Sequence, residues 1–129
     1  MLSFSSSLGA DNEAFAIFVS EKYDFRDKRN ILPSSTSQKI RSFLNTLKSK
    51  KSKEEITSFD ISEKKKCFII KVKNKYENYY FEEIGGAFYT YVKKFKNINS
   101  IDIYADSLNE KKDKLAKCFS EFIFGFNLK

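Results

Sequence analysis

The chain contains no histidine, which removes the group that most neutral-pH proton transfer relies on. Without an imidazole there is no Ser-His or Cys-His nucleophile, and the commonest nitrogen ligand for a metal is missing. The two cysteines, Cys67 and Cys118, lie about 50 residues apart in apolar surroundings. They cannot close a zinc site without further ligands, and their neighbours mark them as core residues. Three acidic pairs, Asp24/Asp27, Glu54/Glu55 and Glu82/Glu83, are candidates by proximity for a carboxylate metal cluster. Each stands among lysines and polar residues, the composition of solvated surface. No G-x-x-x-x-G-K-[ST] or G-x-G-x-x-G is present, so the phosphate-cradling loops are absent as well. No catalytic, cofactor-binding or metal-binding residue is assigned on these grounds.

Two further groups of residues need weighing. The pair Gly85–Gly86 sits inside a run in which Phe81, Ile84 and Phe88 keep helical spacing. Each Gly costs a helix about 1 kcal/mol relative to Ala, so the pair predicts a close approach of helix to sheet. A ligand-contacting backbone is the other reading. Tyr76, Tyr79, Tyr80 and Phe81 lie near Lys71, Lys73 and Lys75, the ingredients of a single-strand stacking platform. The same pattern fits a helix start packed on a sheet, with the lysines in solvent.

The elements that would position these residues follow from the apolar spacing. Ala14–Ser20 (AFAIFVS) suits a strand buried on both faces. Asp24–Pro33 reads as a loop. Ser35 with Gln38 forms a capping box ahead of a helix carrying Ile40, Phe43, Leu44 and Leu47 to about Lys48. Lys50–Glu55 is a loop, and Ile56–Ile61 and Cys67–Val72 are two strands that pair as a hairpin, which makes the sheet mixed. A helix spans about Glu77 to Lys96. A strand with Ile101 and Ile103 follows, and Ser107 with Glu110 forms a second capping box before a helix carrying Leu115, Cys118, Phe119, Phe122 and Ile123. Strands alternating with helices predict an α/β fold with a helix-covered sheet.

Length and composition bound the rest. At 129 residues the chain fits one domain, and the 14 phenylalanines supply bulky core filling. No run approaches the roughly 20 apolar residues that span a bilayer, no secretory signal is visible at Met1–Phe25, and the cytoplasm is the expected compartment. The net charge of +7 draws on 24 basic residues, of which only Arg26, Arg29 and Arg41 are arginines. Lysines scattered along the chain predict a solvated basic surface and weak, sequence-indifferent contact with nucleic acid at most.

The order of elements resembles the N-terminal domain of the leucyl (cytosol) aminopeptidase family. The resemblance runs from AFAIFVSEKYDF to the last residue, and it is best in CFIIKV, EEIGGAFYTYVKKFK, SIDIYA and KLAKCFSEFIFGFNLK. Where the family has a glycine-rich turn after the CFIIKV strand, this chain reads KVKNKYEN. The resemblance implies a three-layer α/β/α fold with a mixed sheet, similar to the macro domain. It also implies that residues 1–129 are a single non-catalytic domain with an architectural and assembly role. The family is a metallopeptidase, a hydrolase that releases N-terminal residues with two divalent ions, Zn or Mn, held by a C-terminal catalytic domain that this chain lacks. The expected partners are that domain and further copies in a hexamer. In some members the domain contributes to DNA binding. Two other functions stay open: a stand-alone macro-like module binding ADP-ribose or another nucleotide, and a basic nucleic-acid-binding domain.

Overall fold

The apolar runs become strands and the 3.6-period runs become helices in a computed structural model that describes residues 3–5, 14–27, 32–108 and 112–128. In chain order these are β1 (Ser3–Ser5), β2 (Ala14–Val19), α1 (Ser34–Ser49), β3 (Ile56–Ser62), β4 (Lys65–Lys71), α2 (Tyr80–Val92), β5 (Ser100–Tyr104) and α3 (Lys112–Asn127), with a 3-10 turn at Ala105–Ser107. The strands form one sheet in the order β1-β5-β2-β4-β3. β2 lies parallel to both β4 and β5, and β1 lies parallel to β5. Only β3 runs antiparallel, as the return of the β3–β4 hairpin. The α/β fold and the mixed sheet expected from the sequence are therefore present.

Side chains alternate across a strand, and β2 uses both faces. Ala14, Ala16 and Phe18 join Phe68, Ile70, Ile101 and Ile103 against α2 and α3, which contribute Phe81, Phe88, Phe122 and Phe126. Phe15, Ile17 and Val19 point the other way, with Cys67, Ile69 and Tyr104, and meet Ile40, Leu44 and Leu47 of α1. All six β2 residues are buried, as a strand in a parallel sheet covered on both faces requires.

Several boundaries differ from the sequence expectation. α1 starts at Ser34, directly behind Pro33, whose φ of −57° and ψ of 150° set the turn into the helix; no side chain caps it, and Ser35 and Gln38 form no capping box. α2 is shorter than Glu77–Lys96, because Tyr79 stands in the left-handed region (φ 70°) and delays the helix to Tyr80. Ser107 belongs to the 3-10 turn, and Glu110, its partner in the expected capping box, lies outside the described residues.

The glycines also act differently from the expected helix–sheet contact. A Cβ built on Gly85 would run into the carbonyl of Phe122 and stand 2.9 Å from the Phe126 nitrogen. A Cβ on Gly125 would run into the carbonyl of Glu82, with the Glu82 Cα at 2.8 Å. The close approach is thus helix against helix, α2 on α3. It is reciprocal, since each glycine faces the residue three positions before the other.

Candidate binding crevice

The connections after β2 and β5 leave to opposite faces of the sheet. The chain after β2 leads to α1, packed in one core cluster, and the chain after β5 leads to α3, packed in the other. In an open α/β sheet a crevice forms outside the carboxyl ends of adjacent strands at this kind of switch. Here it has a volume of about 230 Å³, and its polar lining includes Ser20, Asp24, Arg26, Lys73, Asn74 and Ser107.

Local hydrogen bonding fixes its walls. Ser20 closes the turn after β2: its Oγ accepts the N–H of Lys22 at 3.2 Å and of Asp24 at 3.0 Å, and its carbonyl accepts that of Tyr23 at 2.9 Å. Tyr23 takes a left-handed conformation (φ 64°) to make this turn. On the other wall the Ser107 Oγ receives the buried Phe18 N–H at 2.8 Å and donates to the Tyr104 carbonyl at 2.5 Å. Ser107 thus completes backbone pairing that β5 no longer supplies. Just past β4, the Val72 N–H donates to the Val19 carbonyl at 2.9 Å, and the Asn74 N–H donates to Glu21 Oε1 at 3.0 Å.

A second hollow of about 330 Å³ adjoins the first through Lys73, with Glu21, Lys53, Glu55, Lys71 and Tyr80 around it. Tyr80 Oη accepts the Lys73 N–H at 2.9 Å. Burial raises the pKa of Tyr80, the Lys73 hydrogen bond lowers it, and Glu55 and Glu21 raise it further. The phenol is thereby held in its neutral form.

The structure scatters the acidic pairs named from the sequence. Asp24 faces the crevice and lies 3.9 Å from Lys48. Asp27 instead accepts the Tyr104 hydroxyl and the Leu32 N–H, the latter at 2.9 Å. Glu55 lines the second hollow, and Glu82 and Glu83 occupy the first turn of α2, where carboxylates suit the helix dipole. Among the described residues no three His, Cys, Asp or Glu are placed to hold a metal ion. Cys67 is fully buried, and burial pushes its thiol well above the ordinary range. Cys118 is buried beside the Tyr76 hydroxyl, 3.6 Å away.

The aromatic group is not an open platform. Tyr76 and Tyr80 stack on each other at 5.3 Å, Phe81 is buried edge-on to both, Lys114 covers Tyr76 at 5.1 Å and Lys73 covers Tyr80 at 5.9 Å. Only Tyr79 of the four is exposed.

Reading from motifs missed Ser20, Arg26, Asn74 and Ser107. The signal available was position: polar residues within seven positions after the apolar runs AFAIFV, CFIIKV and SIDIY. Chemically the crevice offers the Arg26 guanidinium and the Lys73 ammonium for an anionic group, and the Asp24 carboxylate for a donor. No helix among the described residues is long and apolar enough to cross a membrane. No protein family, curated protein or solved structure matches the chain.

Proposed function

We propose that the chain is a non-catalytic binding domain whose crevice takes the anionic end of a small molecule. The observation that supports this is the placement of Arg26, Lys73 and Asn74 at the carboxyl ends of β2 and β4, where open α/β sheets receive ligands. The volume of about 230 Å³ is below the roughly 300 Å³ at which pockets for drug-sized molecules begin. No glycine among the described residues lines it, so those residues offer no glycine-rich loop of the kind that closes around a diphosphate. A terminal phosphate or carboxylate therefore fits better than a whole ADP-ribose. The test is calorimetry with inorganic phosphate, AMP and ADP-ribose. Saturable binding of phosphate or AMP that Arg26→Ala and Lys73→Ala both weaken supports the reading, and no saturable heat at millimolar ligand overturns it.

A second reading is that of an architectural domain of a metal-dependent leucyl aminopeptidase, in a macro-like three-layer arrangement and a cytoplasmic hexamer. It draws on the apolar end of α3. Phe124 is 56% exposed and Leu128 61%, and the Leu128 N–H donates to the Phe124 carbonyl at 3.1 Å, so one turn presents both side chains. Such a surface suits cover by another domain or subunit. The Zn or Mn ions would belong to that other domain, since no three acids among the described residues are placed to hold a metal ion. In an assay with leucyl-anilide and added Mn²⁺ or Zn²⁺, the 129-residue chain is expected to be inert and a longer native polypeptide active. Activity that co-purifies with the short chain refutes this reading.

A further inference from the structure

The opposite pole of the sheet holds a larger hollow, about 510 Å³, between the β3–β4 turn and the chain that leaves α2. Lysines that are far apart in sequence meet there. Lys64, Lys65 and Lys66 come from the hairpin, Lys96 comes from beyond α2, and Phe95 and Asn97 complete the wall. Two carboxylates, Asp60 and Glu63, share it. Asp60 is already occupied, since its Oδ1 receives Lys66 Nζ at 2.8 Å. Lys64 and Lys96 share the hollow with Glu63, while the Lys65 ammonium lies over the Phe15 ring, 5.6 Å from its centre. Lys93 and Lys94, exposed at the end of α2, add to the positive charge just before Phe95.

We propose that this cleft binds single-stranded nucleic acid through its phosphate backbone. A basic groove that tracks the phosphate backbone holds single strands without sequence preference. Phe95 is half-buried, edge-on to Phe68 at 5.5 Å, and covered by Lys66 at 4.9 Å, so it is a wall of the groove and not an open stacking face. Its position is therefore set before any ligand arrives. Lysines act as point charges and do not form the bidentate fork by which arginine reads phosphates and bases, so contact should be electrostatic and indifferent to sequence. A lipid surface is less well matched. Its charge would lie flat, whereas the lysines line a hollow, and the exposed apolar side chains Tyr79, Phe124 and Leu128 are not among the residues around it.

Fluorescence anisotropy of a labelled oligo(dT) at low salt tests this with two double variants of equal net charge. Lys64 and Lys96 line the cleft, whereas Lys22 and Lys117 lie outside it, and all four are exposed. Circular dichroism verifies that both variants fold. Lys64→Glu with Lys96→Glu should weaken binding at least tenfold and reduce the slope of log affinity against log salt by about 1.4, since each phosphate contact on a single strand contributes about 0.7. Lys22→Glu with Lys117→Glu should weaken it far less. Equal loss in both variants would show that net charge alone attracts the strand, and overturns the assignment. So would the absence of oligonucleotide binding, or equal cleft-dependent binding to phosphatidylserine vesicles or polyglutamate.

Discussion

Replacing Gly85 by Ala should lower stability even though Ala is the better helix former. The helical gain is about 1 kcal/mol. Against it stands a Cβ that would overlap the Phe122 carbonyl and lie 2.9 Å from both the Phe122 carbonyl carbon and the Phe126 nitrogen. These are backbone atoms, so no rotamer change relieves them and α3 must move away from α2. The displacement opens the contacts that Phe88 makes with Phe122 and Phe126, whose rings lie 5.6 and 6.0 Å away. A gap of 0.5–1 Å forfeits about a quarter to a half of the dispersion well at each contact. Overpacking of this kind costs about 1–3 kcal/mol, and the absence of a flexible neighbour puts Gly85 at the upper end. The net loss is then about 2 kcal/mol, or roughly 8 °C in Tm for a domain of this size. Urea and thermal unfolding of Gly85→Ala, Gly125→Ala and the double variant provide the assay. One separation of the helices relieves both clashes, so the double variant should lose clearly less than the sum of the single losses. A Gly85→Ala protein that melts at or above the wild type, or strictly additive losses, would refute the reciprocal close approach.

Ser107→Ala leaves the buried Phe18 N–H without its acceptor and should cost about 1–3 kcal/mol, read as a lower denaturant midpoint with unchanged m-value. Tyr104→Phe removes the hydroxyl that donates to Asp27, a charge-assisted bond for which a double-mutant cycle with Asp27→Asn should return about 1.5–3 kcal/mol of coupling. Cys67 should resist thiol reagents until the protein unfolds. Because its folded pKa is raised, the unfolded thiol loses its proton first; stability is full below about pH 8.5 and should fall as pH rises beyond it. Cys67→Ala should abolish that part of the pH dependence.

Four of the five described strands and the three helices were legible because period and composition agreed, whereas β1 (Ser3–Ser5) was not expected. AFAIFV and CFIIKV contain no polar residue except the lysine beyond CFII, and both are paired strands of the sheet. What could not be read was set by geometry at element ends. The left-handed Tyr79 and the extended Pro33 decide where α2 and α1 begin, and neither has a periodic signal. Gly85 kept its place in the apolar pattern, but which partner it faces depends on how two helices cross. The crevice residues were invisible for a related reason. Ser20, Arg26, Asn74 and Ser107 come from three connections and share no motif; only the parallel arrangement of β2, β4 and β5 brings them together. The lysines of the basic cleft appear scattered for the same reason, since the hairpin turn and the end of α2 meet only in the folded sheet.

The central position of β2 has a consequence for how the chain must be made. Both neighbours of β2 are synthesised after it: Ala14 pairs with Lys66, and Phe15 pairs with Asp102. Translation at about 5–20 residues per second puts several seconds between the appearance of AFAIFV and that of its first partner strand. During that interval an uncharged, proline-free segment of high β propensity, the composition that nucleates cross-β association, has neither edge paired. The strand that organises the finished sheet is thus the segment most exposed to misassembly on the ribosome, and shielding by chaperones matters most before residue 66 has emerged.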